Sequence, residues 1–392
     1  MNTKKNKVKL LVFPGHFLPH IGGLESHVDN FARELSKKEG YEITIFTPQY
    51  NDAKEEEIIH TGVKVIRYPS IEIVHNYFIP KFYSWRFYKL FYKVYSSDFH
   101  IAMSRTMFFT NSTLAYVVSK WRIKRKKLLH VEHASDYSHL KSKFQMKVNK
   151  FYMNTVGKLL VKRADSLAAV SKGAQTFLST EFKVKKPIQV IYRGFNHEEA
   201  KTIVPKRFPT ERKNLVFVGR LLKGKGVQDL LQALSFLKEI DVHLYIIGSG
   251  DYEIELQKLV KVLHLEGRVS FEGSKSGKEC LSYIKAADIF VNPSHNDGLA
   301  TTLIEAFFCR TQILATDVGG TFEVLEEEWN KNSRYQLIPA KDPKAMAKVL
   351  KKMLAKKASP LNEKLYKKIE KKFDWEEHAN SYDKLIKKTL KK

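Results

Sequence analysis

The sequence predicts an α/β fold of two domains, each built around an open parallel β-sheet. Three observations support this prediction. The chain has 392 residues, which is enough for two domains that each bury a core. A strand, a glycine-containing loop and a helix follow one another from residue 8, and the same order begins again at residue 214. A third segment, residues 287–320, has the pattern of a strand, a loop, a helix, a strand and a loop.

The first domain begins with a buried strand at residues 8–13 and a loop that ends at Gly22 and Gly23. An amphipathic helix follows, and residues 41–47 form the second strand. A helix start offers unpaired N–H groups and the positive end of the helix dipole, so a glycine pair here suits a phosphate group. A tight turn that requires glycine is the alternative interpretation.

Residues 76–99 combine aromatic and basic side chains at high density. Wound as a helix from Lys81, the segment places Arg86, Lys89 and Lys93 on one stripe and aromatic rings on most of the remaining surface. Aromatic rings and long basic side chains both favour a lipid interface, so the helix suits an anionic membrane surface or a lipid-linked acceptor. A helix that is buried against the first domain is the alternative.

Further strands are predicted at residues 99–102 and 127–131, and His133 stands at the carboxyl end of the second. Ligands of open α/β sheets bind at this end of the strands. An imidazole there can donate a hydrogen bond to a hydroxyl or a phosphate, and it can titrate near neutral pH. A structural role is the alternative, and it is the role we expect for His130, which lies deeper on the same strand.

The first domain continues with a helix at residues 146–161 and a strand at 164–170, which ends at a helix N-cap, Ser171. A segment rich in proline and charge then separates the two domains. The predicted boundaries are residues 1–200 for the first domain, 201–213 for the linker, 214–374 for the second domain and 375–392 for a last helix.

The second domain begins with a strand at residues 214–218, after which Arg220 and Lys225 stand among glycines. Two cations at this spacing suit a diphosphate, because a guanidinium binds phosphate in bidentate fashion and an ammonium adds a point charge. A solvated basic turn is the alternative. A strand at residues 242–247 ends at Gly248, where the backbone can approach a ligand closely.

Asp297, Gly298 and Glu305 lie in the loop and helix of the third segment, with Glu305 about two turns into the helix. A carboxylate can accept hydrogen bonds from two neighbouring hydroxyls, and charged hydrogen bonds are the stronger kind. Two carboxylates on either side of a glycine turn therefore suit a polyhydroxylated ligand, such as a sugar ring or a ribose. An ordinary helix with a solvated Glu305 is the alternative.

Several of these motifs resemble those of glycosyltransferase family 4, a family of retaining enzymes with the GT-B fold. The family usually has Glu at the first position of the carboxylate pair, where this chain has Asp297. The resemblance implies two Rossmann-like, doubly wound domains that face a central cleft, with a C-terminal helix that crosses back to the first domain. The matching motifs are G-G-L-E at residues 22–25, E-H-A-S at 132–135, G-R-L-x-x-x-K-G at 219–226, I-x-G-x-G at 246–250 and the pair Asp297 and Glu305.

The resemblance also implies roles for individual residues. Arg220 and Lys225 would hold the diphosphate of a nucleotide sugar, which the Gly22–Gly23 backbone would approach. His133 would lie beside the donor sugar, and Gly248 near the nucleotide base. The expected catalytic residues are His133, Asp297, Arg220 and Lys225, and the remaining donor contacts are Gly22, Gly23, Gly248, Gly298, Leu299, Ala300, Thr301 and Glu305.

The implied activity is the transfer of a hexosyl unit, with retention, from a UDP- or GDP-sugar to a glycan or a polyprenyl- or lipid-linked acceptor. Such a reaction would serve the synthesis of a cell-surface polysaccharide or glycolipid. No Asp-x-Asp pair is placed as a metal clamp, so we expect neither a metal nor a cofactor besides the donor substrate. A nucleotide-sugar epimerase and a non-catalytic protein that binds nucleotide sugar or membrane are the alternatives.

The charge balance indicates an anionic partner, since 68 Lys and Arg residues stand against 42 Asp and Glu residues, a net charge of +26. Nucleic acid is not expected, because no helix-turn-helix, zinc-finger or RRM signature is present. Cys280 and Cys309 show no disulfide pattern, and no apolar run has the length of a signal-peptide core or a membrane span. We therefore expect a cytoplasmic protein, with peripheral attachment to the inner face of the membrane left open.

Overall fold

The computed structural model describes residues 7–20, 22–38, 40–50, 53–74, 77–137, 143–209 and 211–392. The chain divides into two compact units. The N-terminal unit comprises Met1–Gly194 and Phe373–Lys392, and the C-terminal unit comprises Phe195–Lys372.

The division at residue 195 lies before the predicted linker at residues 201–213. Phe195 belongs to the C-terminal unit because its ring stacks on that of Phe308, with 5.3 Å between the centroids. The segment that we predicted as a linker is also attached to this unit, since the backbone N–H of Lys206 donates to the carbonyl of Ser282 at 3.0 Å.

The N-terminal unit contains an eight-stranded sheet with the order β10-β9-β8-β7-β1-β2-β4-β3, in which only the pairing of β3 with β4 is antiparallel. A separate antiparallel hairpin consists of β5 and β6. The strands are β1 (Val8–Phe13), β2 (Tyr41–Pro48), β3 (Glu56–His60), β4 (Val63–Tyr68), β5 (Ser70–Val74), β6 (Tyr77–Pro80), β7 (Ile101–Arg105), β8 (Lys127–Glu132), β9 (Ser166–Ala169) and β10 (Ile188–Val190).

Helices cover the two faces of this sheet. The predicted cap at Ser171 is confirmed, because its hydroxyl accepts a hydrogen bond from the N–H of Ala174 at 3.0 Å. The helices are α1 (Gly23–Ser36), α2 (Trp85–Ser96), α3 (Thr110–Lys120), α4 (Lys143–Tyr152), α5 (Lys158–Arg163), which a π-helical turn at Met153–Gly157 joins to α4, and α6 (Lys172–Glu181).

The last helix of the chain, Trp375–Lys391, is here called the C-terminal helix and packs on α1 of the N-terminal unit, as predicted. Asp374 caps it by accepting a hydrogen bond from the N–H of Glu377 at 2.9 Å. The ring of Tyr382 meets that of Phe31 on α1 edge to face, with 4.9 Å between the centroids.

The C-terminal unit contains a six-stranded, wholly parallel sheet with the order β13-β12-β11-β14-β15-β16. Its strands are β11 (Lys213–Val218), β12 (Val242–Ile247), β13 (Val269–Gly273), β14 (Ile289–Asn292), β15 (Gln312–Thr316) and β16 (Tyr335–Ile338). Its helices are α7 (His197–Thr202), α8 (Val227–Ser235), α9 (Glu253–Val262), α10 (Gly277–Ala286), α11 (Thr301–Phe308), α12 (Phe322–Leu325), α13 (Pro343–Ala355) and α14 (Glu363–Lys372).

The central strands are mostly apolar, as expected where helices cover both faces of a parallel sheet. All four residues of β14 are buried, as are the last four residues of β1. Cys280 and Cys309 are both free thiols. No helix in the described ranges is both long enough and apolar enough to cross a lipid bilayer.

Candidate functional site

The candidate site of the C-terminal unit lies at the carboxyl edge of its parallel sheet. The first strand, β11, pairs with β12 on one side and with β14 on the other. The chain therefore leaves these neighbouring strands toward opposite sides of the sheet, and ligands of open α/β sheets bind at such a point. Arg220 and Lys225 follow β11, Gly248 follows β12, and Asp297 follows β14.

Lys225 and Asp297 form an ion pair at this edge, with 2.7 Å between Nζ and Oδ2. The hydroxyl of Ser294 also donates to Asp297 Oδ2, at 3.4 Å. Both charged side chains keep part of their surface in solvent, 25% for Lys225 and 15% for Asp297. The fold thus pairs Lys225, which is predicted to bind the diphosphate, with Asp297, which is predicted to bind the sugar. Both side chains remain partly accessible to a bound molecule.

Two glycines allow the loops of this edge to approach one another. Gly226 has φ +70°, and a Cβ there would lie 1.8 Å from the carbonyl oxygen of Pro293. Gly248 has φ +136°, and a Cβ there would lie 1.9 Å from the carbonyl oxygen of Gly219. Neither position has room for a side chain, so both glycines are needed for the close packing of these loops.

A second pair, which the sequence analysis missed, joins the loop after β14 to the start of α8. His295 Nε2 lies 2.6 Å from Asp229 Oδ2, and the His295 N–H donates to the carbonyl of Gly224 at 2.8 Å. These contacts position Lys225 next to the loop that carries Asp297. Asp229 lies in the first turn of α8, where acidic residues are common and usually face solvent. The sequence therefore gives no signal for its pairing with His295.

Helix α11 begins at Thr301, and its N-cap, Ala300, offers no side-chain hydrogen bond to the first turn. Backbone N–H groups at a helix start can therefore serve a ligand oxygen. Leu299 and Ala300 are buried, while Gly298 and Thr301 are half-buried. The predicted donor contacts thus form one continuous turn after Asp297.

Glu305 lies half-buried on α11. Burial, with a further contribution from the Glu305 charge, raises the pKa of the Cys280 and Cys309 thiols to about 12. Both thiols are therefore protonated and unreactive at neutral pH.

Arg220, the other cation predicted to bind the diphosphate, is exposed near the end of β11.

In the N-terminal unit, Gly22 is the N-cap of α1 and has an extended backbone, so a positive φ does not explain the glycine. A Cβ at Gly22 would instead lie 2.5 Å from Oε2 of Glu25. Glu25 Oε1 lies 2.6 Å from Nδ1 of His20, and hydrogen bonding to His20 holds the pKa of Glu25 below its usual value despite burial, which acts to raise it. The glycine therefore makes room for this His–Glu pair.

Among the described residues, two groups of side chains bring possible metal ligands within 4.8 Å of one another, namely His16, His20 and Glu25, and His197, Glu198 and Glu370. Each group contains an imidazole–carboxylate pair, His20 with Glu25 and His197 with Glu370 at 3.2 Å. A contact between imidazole and carboxylate accounts for each of these pairs. The absence of a metal requirement stays a prediction.

His133 follows β8 and adjoins a buried cluster that the sequence analysis did not foresee. The ring of His27 on α1 lies 5.3 Å from that of His133 and 5.0 Å from that of His378 on the C-terminal helix. Burial, together with the nearby Arg105 cation, lowers the pKa of His27 and His133 well below the usual value. Burial lowers the pKa of His378 to about 3.

Hydrogen bonds define the protonation of part of this cluster. Nδ1 of His378 donates to the carbonyl of Tyr192 at 2.7 Å, so its Nε2 is the acceptor in the neutral ring. Nε2 of His27 lies 3.3 Å from that nitrogen and must be its donor. His130 is fully buried and contacts Ser104 and Glu132, which agrees with the structural role expected for it.

Two family models match consecutive parts of the chain. The model described as Glycosyltransferase Family 4 matches residues 21–199, and the model described as Glycosyl transferases group 1 matches residues 198–372. An uncharacterized glycosyltransferase of Methanocaldococcus jannaschii is 36% identical over 396 residues, which cover 98% of this chain and 99% of that protein.

Two further proteins show shorter or more distant similarity. The N-acetylgalactosamine-N,N'-diacetylbacillosaminyl-diphospho-undecaprenol 4-alpha-N-acetylgalactosaminyltransferase of Campylobacter jejuni is 29% identical over 208 residues, 50% of this chain and 55% of that protein. The crystal structure of Anabaena HepE in complex with UDP and glucose has a TM-score of 0.75 at 18% identity, and the match covers 97% of this chain and all of that one. This likeness concerns the fold, which is GT-B as predicted.

Proposed function

Because the chain belongs to glycosyltransferase family 4, we propose that it transfers a hexosyl unit, with retention, from a UDP- or GDP-sugar to a glycan or lipid-linked acceptor. The observation that supports this proposal most directly is the Lys225–Asp297 pair at the switch point of the C-terminal sheet. A cation for a diphosphate and a carboxylate for sugar hydroxyls stand there within 2.7 Å of one another.

The chemistry requires that negative charge on the leaving diphosphate be stabilised as the bond to the anomeric carbon breaks. Lys225 and Arg220 supply fixed positive charges for this purpose, which supports a metal-independent reaction. The acceptor hydroxyl forms the new bond to the anomeric carbon and loses its proton, and the nucleoside diphosphate leaves. We assign Asp297 and Glu305 to hydroxyl binding, and we assign to His133, in the N-terminal unit, a contact with the donor sugar.

The donor can be identified by thermal unfolding in the presence of UDP-, GDP- and ADP-sugars. We expect one nucleotide class to raise the midpoint by several degrees at saturation, because a ligand that binds only the folded state stabilises it. The Lys225→Met variant should lose this shift. Proton NMR of the product would then show whether the configuration at the anomeric carbon is retained.

Each alternative predicts a different outcome of this experiment. An epimerase would form a new nucleotide sugar without any acceptor, and a non-catalytic protein would show the thermal shift but no release of nucleoside diphosphate. Failure of every nucleotide sugar to stabilise the protein would contradict the proposal itself.

Helix α2 supports a lipid-linked acceptor, because it has one face in the core and one face in solvent. Phe87, Leu90 and Val94 are buried, so these three side chains belong to the core and are not available to an interface. In contrast, Trp85 is 81% exposed and Tyr92 is 68% exposed. The buried face agrees with the alternative of a helix packed against the first domain, and membrane contact by the exposed face stays a proposal. Asn76 itself lies outside the described residues.

We propose that the exposed face of α2 contacts an anionic membrane surface, where the acceptor would be presented. Amphipathic aromatic rings favour the lipid interface, and the exposed Lys89 on the same helix adds attraction to anionic lipid. Arg86 and Lys93 are paired with Glu55 and Glu56, which directs part of the basic stripe toward the protein.

We expect the double variant Trp85→Glu/Tyr92→Glu to bind anionic vesicles at least about tenfold more weakly than wild type, because two apolar rings leave the interface. Co-sedimentation with phosphatidylcholine vesicles, with and without phosphatidylglycerol, measures the effect. Phe236→Glu is the matched control, since Phe236 is 55% exposed in the C-terminal unit. If the double variant binds anionic vesicles as tightly as Phe236→Glu does, the exposed face of α2 is not the membrane contact.

A further inference from the structure

Arg105, the last residue of β7, is a buried cation without a carboxylate partner in the part of the chain that the structure describes. The side chain is 0% exposed, and its Nε and Nη2 atoms have no hydrogen-bond partner within those ranges. The guanidinium lies over the ring of Phe31, 4.5 Å from its centroid. Burial of an unpaired charge is unfavourable, so stability alone does not explain this residue.

The remaining nitrogen of the guanidinium, Nη1, lies 3.5 Å from Nε2 of His133. A guanidinium has donors only, so the ring nitrogen that faces it must be the acceptor. A neutral imidazole with an acceptor at Nε2 carries its proton on Nδ1. The position of Arg105 therefore selects one of the two tautomers of His133.

We propose that Arg105 is a positioning residue that holds His133 in the Nδ1-protonated tautomer, so that this N–H donates a hydrogen bond to the donor substrate. The inference rests on the proposed function for the role of His133, whereas the tautomer itself is a property of the protein alone. A histidine whose acceptor nitrogen faced the substrate could accept from a sugar hydroxyl but could not donate to an oxygen without a proton, such as one of the diphosphate.

The groups around His133 favour the neutral ring. Arg193, from the segment after β10, and Arg105 contribute positive charge, and His130 and His378 contribute imidazoles. The carboxylate of the preceding residue, Glu132, is occupied by the backbone, because its Oε1 accepts hydrogen bonds from the N–H groups of His133 and Ala134, both at 2.9 Å. Burial acts first and the Arg105 charge second to lower the pKa of His133.

The test is a titration of the imidazole groups by nitrogen NMR in the full chain labelled at histidine, with the His133 signal assigned by its loss in His133→Asn. In wild type we expect the Nδ1-protonated tautomer with no titration between about pH 5.5 and 7.5. Arg105→Met should populate both tautomers, because the donor that faces Nε2 is gone, and should raise the pKa of His133 toward this range, because one cation that opposes its protonation is gone. Arg105→Lys retains the charge and should suppress the titration.

Arg67→Met is the matched control for loss of a buried arginine. Arg67 is 1% exposed, donates to the carbonyls of Leu18 and Lys54, and pairs with Glu57 at 2.6 Å. This variant should leave the His133 spectrum of wild type unchanged. A wild-type His133 with its proton on Nε2, or an Arg105→Met spectrum identical to wild type, would overturn the proposal.

A second readout connects the tautomer to turnover. For Arg105→Met, the ratio of kcat/KM at about pH 7.5 to that at about pH 5.5 should exceed the wild-type ratio at least about threefold, since protonation removes the neutral ring. Arg67→Met should keep the wild-type ratio, and an equal loss at every pH for Arg105→Met contradicts the proposal. Absence of any transfer by wild type would refute the proposed function, and the NMR titration would still decide the role of Arg105.

Discussion

Lys225→Met is expected to reduce sugar transfer by about 10²–10³-fold, the usual effect of removing one group that stabilises developing charge. Methionine keeps the length and apolar character of the lysine stem but cannot stabilise the departing diphosphate. The loss should appear in both KM and kcat, because Lys225 is assigned to bind the diphosphate of the donor and the charge on that diphosphate grows as the bond to the sugar breaks. Release of nucleoside diphosphate in the presence of acceptor measures the rate.

Lys223→Met is the matched control, since Lys223 is an exposed lysine in the same turn. It should transfer sugar at nearly the wild-type rate. Lys225 is paired with Asp297, so circular dichroism and thermal unfolding must establish that the Lys225 variant is folded. We expect Glu305→Ala to lose activity as well, and near-wild-type turnover in both Lys225→Met and Glu305→Ala would contradict the assigned site.

Acid should destabilise the N-terminal unit through its buried histidines. The pKa of His27, His133 and His378 is lower in the folded protein than in the unfolded chain. Below about pH 6.5 the unfolded chain therefore binds more protons than the folded one, and stability falls as the pH falls. The loss is at most about 1.4 kcal/mol per pH unit for each histidine, and for His378 it continues to a pKa of about 3.

Hydrogen exchange of amides in β7 and β8, corrected for the intrinsic dependence of exchange on pH, measures this loss in the N-terminal unit alone. Replacement of one of the three histidines, in His378→Gln, should reduce the dependence on pH by about a third. His264→Asn is the control, because His264 is exposed in the C-terminal unit and asparagine tolerates its positive φ of 54°. Protection that does not change with pH in wild type would exclude protonation of these rings as a cause of unfolding.

Local patterns predicted most of the secondary structure. The strands at Val8–Phe13 and Val242–Ile247 have the bounds expected from the sequence. Each is defined by a short apolar run and by the glycine, proline or capping residues next to it, and these signals act within a few residues. Helix α2 begins at Trp85 rather than at Lys81, because residues 81–84 form a turn in which the N–H of Ser84 donates to the carbonyl of Lys81.

The sequence by itself also located the glycine turn at Gly22, the cations after β11 and the carboxylates after β14, because ligand residues follow strands in this kind of sheet. Only the tertiary structure paired Lys225 with Asp297, joined His295 to Asp229, and buried Arg105 beside His133. It likewise decided that Phe87 belongs to the core and Trp85 to the surface. The physical reason is that these relations join residues far apart in the chain, and spacing along the sequence carries no information about which distant side chain will lie within hydrogen-bond distance.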